Sequence, residues 1–159
     1  MNYHQYFEGL ATSYTEIGNA DTRHAFAQGD DLDLTINKEL DFLQFCMITI
    51  LHESSVRDAN ADNPIEIQPV SIAIIKQCPP KAVEEIRATV EAAKIHCYRL
   101  IGKMRYDRSK YVLHHFDRAQ VTGIYVNHYM FADLHGFEIQ FEVGRSIAAE
   151  THYDESFFV

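Results

Sequence analysis

Residues 81–105 read KAVEEIRATVEAAKIHCYRLIGKMR, and this stretch decides the architecture. Val83, Ile86, Val90, Ala93, Cys97, Leu100 and Met104 follow one another at alternating spacings of three and four. That is the repeat of one face of an α-helix. Glu84, Glu85, Arg87, Glu91 and Lys94 take the opposite face. Glu84 and Glu85 fall in the first turn, and Arg99, Lys103, Arg105 and Arg108 gather near the end, as the helix dipole favours. Cys78-Pro79-Pro80 stops whatever precedes, and proline opens a helix without losing a hydrogen bond. A long helix with a single apolar stripe needs a sheet or another helix to cover it.

Working outward, both flanks supply strands. Upstream, Phe42–Glu53 is dense in Phe, Ile and Leu, the polar segment 54–64 reads as a long loop, and Ile65–Lys76 returns as a second strand. Ile72 and Ile74 fall on one face of that strand, and Ile65, Ile67 and Ile75 on the other. A strand apolar on both sides is covered on both sides. With one helix layer available, the second cover is expected from a neighbouring subunit. Downstream, Val121–Phe131 alternates loosely, and Asp133-Leu134-His135-Gly136 reads as a turn. Phe137, Ile139, Phe141 and Val143 then alternate with Glu138, Gln140 and Glu142 in a clean strand pattern.

At the start of the chain, Tyr3, Tyr6, Phe7, Leu10, Tyr14 and Ile17 mark an N-terminal helix that Gly18-Asn19 ends. Residues 19–34 read as loop, leading to a short turn or helix over 34–40. Residues 145–159 form a tail whose final Phe157-Phe158-Val159 should dock on something. The sequence therefore predicts an α+β fold. Its mainly antiparallel sheet is made of two β-hairpins, with a long covering helix and an N-terminal helix, in a single domain over 1–159.

The 159 residues expose about 8,100 Å² when folded, against about 26,500 Å² for the open chain, enough burial for a real core. A net charge of −9 is repelled by phosphate backbones, so specific nucleic-acid binding is not expected. The longest apolar run, Cys46–Leu51, is far short of a membrane span, and no signal peptide is visible. Cys46, Cys78 and Cys97 show no C-x-x-C pairing and read as small buried hydrophobes in a reducing compartment.

Chemistry-bearing patterns are sparse. His128, Asp133, His135 and Glu138 across the second hairpin are the sharpest candidate metal ligands. Their spacing matches no compact ligand motif, so we read them as solvated hairpin residues and expect no metal and no cofactor. His114-His115-Phe116-Asp117 could form an acid–base pair but reads more simply as an exposed linker. His52-Glu53 lacks the second histidine of H-E-x-x-H. Asp30-Asp31-Leu32-Asp33 lacks the glycine and distal glutamate of a calcium loop. Nucleophile elbows and glycine-rich phosphate loops are missing.

One resemblance adds a functional expectation. The segment Gly136-Phe137-Glu138-Ile139-Gln140-Phe141-Glu142-Val143, followed by Tyr153-Asp154-Glu155-Ser156, resembles small tail proteins of bacteriophages and prophages of Bacteroidetes. The order helix, hairpin, helix, hairpin is similar to that of phage tail terminator, or tail completion, proteins. The resemblance implies a virion structural protein made in the host cytoplasm, with no enzyme activity. It implies a homo-oligomeric ring, usually a hexamer, joining the tail tube to the head through tail-tube and connector proteins. The termini and the loop 54–64 are expected to make the contacts. The alternative is a small α+β enzyme or ligand-binding protein. There His128, His135 and Glu138, or His114 and Asp117, would meet in a pocket. A toxin–antitoxin or regulatory partner is a third class.

Overall fold

A single strand, Ile65–Gln77, forms the centre of the sheet in the structure, a computed structural model. Residues 2–18, 20–28, 40–57, 64–110, 116, 120–127 and 133–147 are described. In chain order the elements are α1 (Tyr3–Ser13), the single turn α2 (Ala20–Arg23), β1 (His24–Gln28), β2 (Cys46–Leu51) and β3 (Ser55–Arg57). They continue with β4 (Ile65–Gln77), α3 (Val83–Ser109), β5 (Thr122–Asn127) and β6 (Leu134–Ser146). The sheet has six strands in the order β1-β2-β4-β6-β5, with β3 beside the start of β4. All pairings are antiparallel except β1 on β2. This is the α+β class, with the N-terminal and long helices as expected from the sequence.

Alternation along the strands sorts the side chains into two cores. Met47, Ile74, Phe137 and Tyr125 line up across β2, β4, β6 and β5 on the helix side, and Thr49, Ile72, Ile139 and Gly123 form the next row. Phe7, Leu10 and Ala11 of α1 and Ala93, Cys97, Leu100, Ile101 and Met104 of α3 close over them. On the other side, Ala25, Ala27, Cys46, Ile48, Ala73, Ile75 and Val126 form a second core with Leu40 and Phe42 against it. Ile48, Ala73 and Ile75 are fully buried within the one chain. The expectation that a neighbouring subunit covers this face is therefore corrected: the chain buries it itself.

Pro69 sits within β4, where a missing N–H should break the ladder. His52 N–H donates to the Pro69 carbonyl, but Pro69 has no donor to return. The Gln68 side chain supplies it: its Nε2 lies 2.5 Å from the His52 carbonyl oxygen. The gap also coincides with the break between β2 and β3, so no regular pair is lost.

Several boundaries differ from the sequence reading, each for a local reason. Residues 24–28, expected as loop, form β1; the segment HAFAQ has two alanines and pairs in parallel with β2, so it carries neither strand composition nor a hairpin turn. The strand expected over 42–53 is confined to β2, and Ser55–Arg57, expected as the start of a loop, form β3 against β4. The turn expected at residues 133–136 is confined to Asp133, which takes the left-handed conformation at φ +80°. Leu134, His135 and Gly136 already belong to β6, so residues 145–146 are strand too, not tail. Gly136 is needed for packing instead: a Cβ there would collide with the Ile74 carbonyl. The loop 58–63 and residues 148–159, with their expected contacts, lie outside the described residues.

The apolar stripe of α3 reaches the sheet only from its second turn onward. Val83 is 62% exposed, whereas Leu100 and Met104 are buried. Leu100→Ala should therefore cost about 2–5 kcal/mol in urea unfolding, as for a core leucine. Val83→Ala should stay within about 0.5 kcal/mol. Equal costs at the two positions would mean that the helix is seated differently.

Candidate functional site

Among the described residues, the histidine and carboxylate candidates do not converge. His135 and Glu138 are three apart on β6, and odd spacing on a strand sends side chains to opposite faces. His135 is buried and Glu138 half-buried. Asp133 occupies the tight turn before them, and His128, His114 and Asp117 lie outside the described residues. Among the described residues no three His, Cys, Asp or Glu side chains gather as a metal would require. His135 and Glu138 therefore do not share a pocket, and the rest of that alternative lies outside the described residues.

Other histidines serve the fold. His52 bonds Ser71 Oγ at 2.8 Å, and His24 bonds Thr49 Oγ1 at 3.2 Å. His96 shares a 2.6 Å hydrogen bond with the Tyr14 hydroxyl and stands edge-on to Phe45. Burial pushes the Cys46 and Cys97 thiols up to about 12, so both stay protonated and unreactive near neutrality. Tyr6 donates to Asp107 at 2.8 Å, and Lys103 pairs with the same carboxylate, tying α1 to the end of α3.

Two surface features stand out. The first is β5, at one edge of the sheet. Thr122, Gly123, Ile124 and Tyr125 are all exposed. At the opposite edge, by contrast, Ala25 and Ala27 of β1 are only 1% exposed. Natural edge strands are blunted by charge, proline or bulges. TGIYVN contains no charge and no proline, and its six residues pair without interruption to β6. A hollow of about 290 Å³ lies between the start of α3 and β5, lined by Val83, Ile86, Val90 and Tyr125. Another of about 410 Å³ lies farther along, lined by Tyr98, Ile101, Val121 and Gly123. Lys94 separates them, donating to the Tyr125 hydroxyl at 2.9 Å. Gly123 leaves room for Phe137: an added Cβ would stand 2.5 Å from the ring.

The second feature is a polar cavity of about 370 Å³ beyond the start of α1. Asn2, Tyr3, His4, Phe26, Gln28, Leu51, Glu66, Gln68 and Arg145 line it. Arg145 Nε donates to Glu66 Oε2 at 2.6 Å, and the His4 and Phe26 rings lie 4.4 Å apart. Tyr3 is buried, and its hydroxyl has no hydrogen-bond partner among the described residues. Burial, and then the nearby Glu66 charge, push that phenol up to about 12, with Arg145 opposing.

Compared with known proteins, the sequence matches no protein-family model and no curated protein. Neither surface feature was anticipated from the sequence. The only signal for the open edge was the uncharged run at 121–126. The cavity gathers residues between positions 2 and 145 and leaves no local pattern.

Burial holds His96 below its ordinary pKa, helped by Arg99 and opposed by Glu16. The unfolded chain therefore binds the proton first, so stability is complete above about pH 6.5 and declines as pH falls below it. Urea midpoints of the wild type should drop between about pH 7.5 and 5.5 more than those of His96→Gln. Parallel pH profiles would show that His96 does not carry this dependence.

Proposed function

We propose that this protein is a non-enzymatic assembly subunit that docks on neighbouring copies through β5 and its apolar flank. The observation that carries the proposal is the unprotected β5 edge, with Ile124 and Tyr125 exposed beside it. An exposed row of backbone donors and acceptors is a template for another chain. The flanking hollows offer apolar contact from Ile86, Val90, Ile101 and Val121, with Arg87, Glu91 and Arg105 also in their walls. Ala25 and Ala27 of β1 are buried at the opposite edge, so a ring requires β5 of one copy to meet a different surface of the next, whereas β5 against β5 would close a two-fold dimer. Heterologous contacts of the first kind generate rings when the rotation closes.

The resemblance of the second hairpin and the element order to phage tail proteins gives the assembly its proposed identity. It is a tail terminator ring, or head–tail connector, in the virion, contacting the tail tube. The net charge of −9 agrees with a channel that DNA passes without adhering. The α+β class with a long helix on an antiparallel sheet agrees with the same reading.

A lysine at an edge strand is the natural means of blocking pairing. Ile124→Lys should leave thermal stability within about 0.5 kcal/mol, because the site is exposed. Wild-type protein should form rings in electron micrographs and oligomers in light scattering, and Ile124→Lys should abolish both and prevent completion of tails in producing cells. Unchanged oligomers and normal particles with Ile124→Lys would overturn the proposal.

A further inference from the structure

The polar cavity beyond α1 has no part in the β5 docking surface and stands independently of that proposal. We propose that it is a binding site for a neutral polyhydroxylated ligand of monosaccharide size, held by Tyr3, Gln28, Glu66, Gln68 and Arg145. The starting observation is Tyr3. Tyr3 is one of the residues lining the cavity, it is 8% exposed, and its enclosed hydroxyl has no partner among the described residues. A buried hydroxyl without a partner is a cost to the free protein that a ligand hydroxyl can remove.

The other walls define the ligand. Arg145 and Glu66 already neutralise each other at 2.6 Å. A phosphate or carboxylate would have to displace Glu66 and then face its charge. A neutral hydroxyl can instead insert between them, accepting from the guanidinium and donating to the carboxylate. Both side chains retain some solvent exposure, and a ligand hydroxyl reaches the enclosed Tyr3 hydroxyl only by displacing the groups around it. The Gln68 nitrogen is committed to the His52 and Pro69 carbonyls, which fixes the amide and leaves its oxygen as an acceptor. Gln28 at the exposed rim offers both a donor and an acceptor. Phe26, stacked against His4, gives an apolar wall for the C–H face of a ring. A cavity of about 370 Å³ is within the range of small-molecule sites.

The test is titration of the ¹⁵N-labelled full chain with glucose, galactose and N-acetylglucosamine, and separately with inorganic phosphate. At least one sugar should shift the amide signals of Tyr3, Gln28 and Gln68, and phosphate should not. Tyr3→Phe should weaken the sugar roughly tenfold, the worth of one hydrogen bond. It should also raise the melting temperature of the free protein, since the orphan hydroxyl is gone. Gln28→Ala should weaken the sugar and leave the melting temperature unchanged. The proposal is overturned if no sugar shifts these signals, if phosphate does so instead, or if Tyr3→Phe melts lower than the wild type.

Discussion

The burial of β4 on both faces, with partners along both edges, is the constraint on which the rest depends. Its even-numbered residues Val70, Ile72 and Ile74 meet the helices, and its odd-numbered Ser71, Ala73 and Ile75 meet the second core. It pairs with β2 and β3 on one side and with β6 along its whole length on the other. A strand so placed fixes register for all its neighbours, because a slip of one residue would turn every apolar side chain to the wrong core. The Gln68 amide that stands in for the missing N–H of Pro69 keeps this central strand satisfied at its one weak point.

From that centre the two margins of the sheet diverge in character. Toward β1 the side chains shrink to alanine and the strand is enclosed. Toward β5 the helix layer ends, and Tyr98, Tyr125 and Ile124 remain at the surface. The asymmetry leaves β5 as the more exposed margin of the sheet. The polar cavity occupies the end of the sheet where α1 begins, near the Arg145–Glu66 pair that joins β6 to β4. The β5 edge and the cavity thus lie at different borders of one sheet.

Much of the fold was legible in the sequence. The stripe from Val90 to Met104, the alternation from Phe137 to Val143 and the doubly apolar run from Val70 to Ile75 each mark their element correctly. The misreadings have physical causes. β1 is short, alanine-containing and flanked by Asp and Gly, and it pairs in parallel across a long connection. Gly136 reads as a turn residue but serves close backbone packing. His135 and Glu138 are near in sequence yet divide between two faces. Of the candidate site almost nothing was legible: Tyr3, Gln28, Glu66 and Arg145 come from four separate elements.

The sequence by itself determined the class of fold, the long helix and the two-sided burial of the strand that follows the loop 54–64. Periodicity is a local property, and it records which faces of an element avoid water. Tertiary structure alone decided that the chain covers its own second face, that β1 is enclosed while β5 stays open, and that an orphan phenol lines a polar cavity. Those outcomes depend on which distant segments meet and where the covering layer ends. No stretch of neighbouring residues encodes that, because the contacts join positions far apart along the chain.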